Sequence, residues 1–312
     1  MAISKPFSRR AVVAGALATS AFPRPSSSVA PPFPAIGLGT CCDGYDASYT
    51  SIMDGISAGY RFFDTAAHYE SEPAVGAALT EARRRGILGN NELTRTVTKI
   101  WFDDMGYEPA LMSARASMDN LQTERLDVLL IHFPGSVDSV QSPARNKKLR
   151  SETWRACERL LADGRVQSIG VSNYTPRQLR ETLASCSTPP MVLQTEIHPR
   201  FQQRELIDYA REQGVATIMA HCPLAHGSPA LLREPTLARL ATQRGGDCTP
   251  AKLCLRWSLD CGLVPVPKAT SAARLAENLS AASMAPLSAE ERAAIDALDA
   301  GDRVSFDPKL IA

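Results

Sequence analysis

GYRFFDTAAHYESE, residues 59–72, sets an aspartate (Asp64) and a tyrosine (Tyr69) directly after the largely apolar run Tyr60-Arg61-Phe62-Phe63. A short run so rich in aromatic residues reads as a buried strand. An acid and a phenol just beyond its end have left the core and stand on a rim. What that rim belongs to is decided by the rest of the chain.

Outward from this stretch, and from about Pro34 onward, the sequence alternates. Strand candidates lie at 35–40, 60–66, 93–100, 126–133, 166–173, 191–198, 215–222 and 263–269. Segments of helical period separate them, among them EPAVGAALTEARRRG (72–86), SETWRACERLLADG (151–164) and RELIDYAREQG (204–214). Strands that are apolar throughout, each followed by an amphipathic helix, argue for a parallel sheet covered on its outer face. Eight such units predict an α/β protein with a closed (β/α)8 TIM barrel as its single domain, residues 31–312. SAEERAAIDALDAG (288–301) is an extra helix after the eighth unit. No GxGxxG follows a strand, so an open dinucleotide-binding sheet has little support.

In such a barrel the active site lies at the C-terminal ends of the strands. The polar residues there are Asp64, Lys99, His132, Ser172, Asn173, Gln194, Glu196, His221 and Lys268. Lys99 ends an apolar strand and would shed its proton unless a carboxylate held the charge; Asp64 is placed to do so. A lysine cation beside Tyr69 should lower the phenol's pKa towards the working pH, which suits a general acid. His132 could donate to the same substrate oxygen. Each residue has a bland reading as well, the pair as a buried ion pair and the histidine as a loop cap. All four on one rim are the constellation that carbonyl chemistry needs.

Lys+Arg number 34 against 33 Asp+Glu, with no long basic run, so nucleic acid is not an expected partner, and no segment beyond the N-terminal stretch is apolar enough to span a membrane, so no membrane is expected either. The eight cysteines show no CxxC and read as reduced, packed thiols. His221 and His226 have no third ligand near in sequence, so no metal is expected. Residues 1–30 run from basic (Lys5, Arg9, Arg10) through apolar to small residues and then a Pro/Ser-rich stretch. That order reads as a signal or targeting leader, of plastid or twin-arginine export type, or else as an uncleaved disordered leader.

The segments GYRFFDTAAHYESEPAVGAAL, VTKIW, LDVLLIHFP, IGVSNY, LQTEIHP and VPKATSAARLAEN resemble, in order and spacing, the signatures of the aldo-keto reductase family. The resemblance spans roughly residues 34 to 312. It implies an NADP-dependent oxidoreductase that reduces an aldehyde or ketone to an alcohol, monomeric like many relatives. Asp64, Tyr69, Lys99 and His132 fall on the family's catalytic tetrad. Ser172, Asn173 and Gln194 match its nicotinamide-carboxamide contacts, and His221, Pro223 and Leu224 the segment beside the nicotinamide ring. Lys268, Thr270, Ser271, Arg274 and Asn278 match its adenosine-phosphate segment. Lys268 and Arg274 can also be read from the residues alone, since two cations near a helix N-terminus suit a 2′-phosphate and so NADPH. A non-catalytic NADPH-binding sensor on the same barrel would be free to lose Tyr69 or His132, and both are present.

Departures from the family pattern carry expectations too. His221 stands where the family places a stacking aromatic, and could ionise near pH 6–7. Ala269 replaces a serine. The family's N-terminal hairpin is mostly missing, which leaves the barrel bottom open or plugged by residues 22–34. Trp101 and Phe133, with His132, should line the substrate pocket. The stretch 134–150 reads as a long loop, basic at Arg145, Lys147, Lys148 and Arg150, that could steer an anionic substrate or simply be a solvated charge run. The short C-terminal tail implies an open pocket.

Overall fold

The computed structural model describes residues 33–41, 44–135 and 142–311, so the expected leader lies outside the described residues. Eight parallel strands follow one another in chain order around one sheet: β1 Leu38–Gly39, β2 Phe62–Asp64, β3 Arg95–Ile100, β4 Leu126–Ile131, β5 Val166–Ser172, β6 Val192–Glu196, β7 Thr217–His221 and β8 Val264–Pro265. Helices cover its outer face: α1 Gly44–Ala58, α2 Glu72–Arg84, α3 Tyr107–Asn120, α4 Pro143–Ala162, α5 Pro176–Leu183, α6 Arg204–Glu212, α7 Pro229–Leu232, α8 Pro235–Arg244, α9 Pro250–Asp260, α10 Ala272–Ser280 and α11 Ala289–Asp296. The expected (β/α)8 barrel is thus the observed one, with every strand inside its predicted window.

Prolines explain why β8 is so short. Pro265 and Pro267 have no N–H to give to a ladder, yet their carbonyls still accept. Gly37 N–H donates to Pro265 O and Gly39 N–H to Pro267 O, each at 3.0 Å. Gly39 also pairs with Lys268 in parallel, so the last strand returns to the first and the sheet closes.

The period of two sorts the strand residues between two cores. In β4, Val128 and Leu130 join Phe62, Val97, Val192, Met219 and Val266 inside the barrel, while Leu129 and Ile131 pack outward under the helices. At the bottom, where strands begin, Phe33 lies against this inner cluster with Met191 and Val264, its ring centroid 5.2 Å from that of Phe62. Within the expected plug, residue 33 therefore fills the bottom; residues 22–32 lie outside the described residues.

Two sequence expectations are corrected. The end of the supposed loop 134–150 is helical from Pro143, because Pro at the first helical position is pre-set for the turn. Arg150 on it is buried, donating to Pro134 O at 2.8 Å and pairing with Glu181, so it cannot steer a substrate. The cysteines are also not uniformly thiols. Cys41 is disulfide-bonded, while Cys157, Cys186, Cys222, Cys248, Cys254 and Cys261 are free.

Candidate active site

The C-terminal rim gathers four polar side chains from β2, its loop, β3 and β4. Residues 65–71, between β2 and α2, are held from below: Thr40 N–H and Oγ1 both donate to Asp64 O, and Ser71 Oγ bonds to Thr40 and Thr65 hydroxyls at 2.9 Å each. A short turn, Ala67–Tyr69, then points Tyr69 back over the barrel.

Lys99 and Asp64 are the centre of this group and are buried, 1% and 4% exposed. Lys99 uses all three of its N–H donors: Asp64 Oδ2 at 2.9 Å, Thr65 O at 2.9 Å and Tyr69 Oη at 3.3 Å. Burial works against the ammonium, but Asp64 and Tyr69 together outweigh it and hold the pKa above the ordinary lysine value. Tyr69 goes the other way from its sequence expectation. Burial raises the phenol above its usual value, and the Lys99 cation only partly offsets that, because Asp64 raises it again. Tyr69 is therefore protonated at neutral pH.

Tyr69 Oη also lies 3.3 Å from His132 Nε2, with the rings edge to face. Burial first, then the charge of Lys99, keeps His132 neutral by pushing its pKa well below the usual value. His132 Nδ1 is buried and finds no hydrogen-bond partner among the described residues. A proton there would be an unpaired buried donor, so the single imidazole proton belongs on Nε2, facing Tyr69. The phenol oxygen thus accepts from both Lys99 and His132, and its own proton is left to point away from both.

The other predicted residues fall around this centre. Ser172 ends β5 with Asn173 just beyond it, Gln194 lies within β6, and all three are buried. Asn173, with a left-handed φ of 59°, donates from Nδ2 to His132 O at 3.0 Å and to Ser172 Oγ at 3.1 Å. Gln194 Nε2 donates to Asp64 Oδ1 at 2.6 Å, so it braces the carboxylate directly, a contact the sequence reading missed. His221 ends β7 and donates from Nε2 to Asn173 Oδ1 at 2.8 Å; its Nδ1 lies 3.3 Å from Cys222 Sγ. Burial, then Lys99, Arg303 and His226, outweighs Glu196 and lowers the His221 pKa to about 3. That corrects the expectation that His221 titrates near pH 6–7. Pro223 is buried and Leu224 half-buried just beyond it.

On the β8 side, Lys268, Thr270, Ser271 and Arg274 are exposed and Asn278 is buried. Ser271 caps α10 by accepting from Arg274 N–H at 3.5 Å. The first turn of such a helix has N–H groups without intrahelical acceptors, and with two cations beside it the donor set fits a nucleotide phosphate.

The rings of Trp101 and Phe133 gather beside His132, the two centroids 5.8 Å apart and those of Trp101 and His132 4.9 Å apart. Two further rings extend this group. His68 stacks flat on Trp101 at 3.7 Å, and Phe306 meets Phe133 edge-on at 5.7 Å. His68 lies inside the opening stretch and could have been suspected; Phe306 could not.

His132 and His221 make stability depend on acid. Both are neutral in the fold but take up a proton in the unfolded chain below about pH 6.5, so stability rises with pH through that window. Each costs about 1.4 kcal/mol per pH unit below it. The melting temperature should be several degrees lower at pH 5 than at pH 7, and less so in His221→Gln. Equal melting temperatures at the two pH values would contradict the burial of neutral imidazoles.

The sequence model of the Aldo/keto reductase family matches residues 45–300. A 9,11-endoperoxide prostaglandin H2 reductase of Trypanosoma cruzi is 36% identical over 278 residues, covering 88% of this chain and 91% of its own. A glyoxal reductase of Bacillus subtilis is 37% identical, over 83% of this chain and 86% of its own. Among solved structures, a Bombyx mori aldo-keto reductase in complex with NADP superposes with a TM-score of 0.79 at 29% identity, covering 88% of this chain and 92% of that one. Similarity of that extent leaves one conclusion: the chain belongs to the aldo/keto reductase family.

Proposed function

We propose that the protein is an NADPH-dependent reductase that converts an aldehyde or ketone to the alcohol, with Tyr69 as general acid. The observation that carries this reading is the double acceptance at Tyr69 Oη, from Lys99 and His132, which aims the phenol's proton outward. When bound, NADPH supplies a hydride to the carbonyl carbon. The chain's own part is to move a proton and to hold charge. Tyr69 gives its proton to the carbonyl oxygen as negative charge grows there, and the phenolate left behind is stabilised by Lys99 at 3.3 Å. Asp64, braced by Gln194 and kept beside Lys99, holds that cation in place. His132 Nε2–H helps orient the same oxygen. Trp101 and Phe133 keep water from one side of it.

Lys268, Thr270, Ser271 and Arg274 would hold the adenosine phosphate, with Asn278 on the same helix, while Ser172 and Asn173 would meet the carboxamide and His221, Pro223 and Leu224 the ring. The preference for NADPH over NADH rests on Lys268 and Arg274. Arg274→Ala should weaken NADPH binding by roughly 10- to 100-fold and leave NADH within about threefold, read by quenching of intrinsic fluorescence. Equal loss for both nucleotides would remove the 2′-phosphate from that site.

The substrate is a small carbonyl compound. The deciding experiment is to follow NADPH absorbance with the purified chain and simple aldehydes. Turnover supports the reductase; tight NADPH binding with no turnover on any carbonyl would support a nucleotide sensor instead. Among the described residues, no helix is long and apolar enough to cross a membrane.

A further inference from the structure

Cys222 and His226 stand just beyond β7 and have no part in the chemistry above, yet both belong to one group with His221. Cys222 Sγ lies 3.3 Å from His221 Nδ1 and 3.3 Å from His226 Nε2, while His221 Nε2 lies 2.8 Å from Asn173 Oδ1. The turn that gathers them is uncommon. Cys222, Ala225 and His226 take left-handed φ values of 49°, 48° and 54°, in a run of five residues without a glycine. Ala225 N–H donates to Cys222 O and Gly227 N–H to Leu224 O, each at 2.8 Å, so the turn closes on itself.

The direction of each bond follows from the inner end of this file. His132 O can only accept, so it is the Asn173 side-chain nitrogen that faces it, at 3.0 Å. Asn173 is held there, because its backbone N–H donates to Gln194 O at 2.9 Å. Its Oδ1, an acceptor, is thereby turned to His221 and requires a proton on His221 Nε2. Burial keeps this imidazole neutral, with a pKa of about 3, so Nδ1 carries no proton and can only accept. The donor facing Nδ1 is the Cys222 thiol. Burial, with the charges of Glu196 and Asp64, pushes that thiol up to about 12, so it keeps its proton at neutral pH. With its one proton spent, the sulfur accepts from His226 Nε2–H. The four bonds therefore run one way, from exposed His226 to the backbone of His132, each polarising the next.

Asn173 is where this direction has a consequence. Its two amide protons are spent on His132 O and Ser172 Oγ, and His221 takes one lone pair of Oδ1. The second lone pair is left for a donor from outside the chain, and the carboxamide N–H of a nicotinamide is such a donor. Were the His221 ring to turn over, or its proton to sit on Nδ1, a lone pair would face Asn173 Oδ1 and push the amide aside.

We propose that Cys222 is a positioning residue for the cofactor: its thiol fixes the ring and tautomer of His221, which holds the Asn173 amide turned to receive the nicotinamide carboxamide. The proposal rests on the reading of Asn173 and His221 as the nicotinamide site.

Binding is compared for NADPH and for 2′-phospho-ADP-ribose, which shares the adenosine phosphates and lacks the nicotinamide. In Cys222→Ala, Kd for NADPH rises about three- to tenfold, while Kd for the fragment changes less than about twofold. Cys222→Ser, which keeps a donor, holds NADPH within about twofold of native. His221→Phe keeps a flat ring but neither hydrogen bond, and loses about tenfold or more for NADPH alone. Nitrogen-15 spectra of the five imidazoles read the relay without any nucleotide. Native His221, assigned by its absence from His221→Phe, shows its proton on Nε2 and a hydrogen-bonded Nδ1, and the Nδ1 signal moves towards that of an unbonded nitrogen in Cys222→Ala. A proton on Nδ1 in the native chain, or an unmoved signal in Cys222→Ala, overturns the relay. Unchanged NADPH affinity in Cys222→Ala, or equal loss for both nucleotides, overturns the positioning role. A native chain that binds neither nucleotide defeats the cofactor reading itself, and the spectra then still decide whether Cys222 holds His221.

Discussion

Tyr69→Phe should fold, bind NADPH with native affinity and reduce aldehydes on the order of a thousandfold more slowly. The size follows from what is removed. A positioned general acid contributes typically about 10²- to 10⁴-fold, and here no second group can take over. Lys99 spends its three protons on Asp64, Thr65 and the phenol oxygen, and its pKa is raised, so it does not release one at neutral pH. His132 is neutral and too weak a base to be a ready proton reservoir. The phenol is half-buried, and its loss leaves Lys99 and His132 each short of one long contact that water can replace. Stability should therefore change by no more than about 1 kcal/mol. Single-turnover rates with pre-bound NADPH measure the chemistry apart from binding. A variant retaining a tenth of native turnover would mean that the carbonyl oxygen takes its proton from somewhere else.

Much of this site is legible in the sequence because its members are punctuated by local pattern. Asp64, Lys99, His132 and Asn173 each follow an apolar run, and in a barrel every strand end points to the same rim, so eight independent local readings converge on one place. Even β1 and β8, with two residues each of regular strand, fall inside the apolar runs read at 35–40 and 263–269. What local pattern cannot report is the sum of opposing effects. The phenol of Tyr69 moves up and not down because burial exceeds the pull of Lys99, and no spacing reveals that balance. The same holds for His221, whose neutrality comes from burial among Lys99, Arg303 and His226. Distance in sequence hides the rest. Arg150 looks like one more cation in a basic stretch until Pro134 and Glu181 close on it. Glu196 looks like a strand-end acid until Val304 N–H and Ser305 N–H close on it, at 2.6 Å and 2.9 Å. For α4 a signal was present, Ser142-Pro143 before a charged helical run, and the density of charge in that run obscured it.

Lys99→Met should cost more stability than any other single change at this site, and should also abolish most activity. Lys99 and Asp64 are both buried, and removing the cation leaves a carboxylate with one neutral donor, Gln194 Nε2 at 2.6 Å, in place of its ion pair. Breaking a buried pair from one side typically costs about 3–5 kcal/mol, because the remaining charge is uncompensated. The double substitution Asp64→Asn with Lys99→Met separates the two roles of the pair. With no charge left to bury, and an amide oxygen still able to accept from Gln194, most of the lost stability should return. Activity should not, since Tyr69 would face no cation when it gives up its proton. Chemical denaturation of the three variants, with aldehyde turnover measured on the same preparations, makes the comparison. Recovery of turnover together with stability in the double variant would show that Lys99 is needed only to neutralise Asp64, and that the phenolate at Tyr69 requires no positive charge beside it.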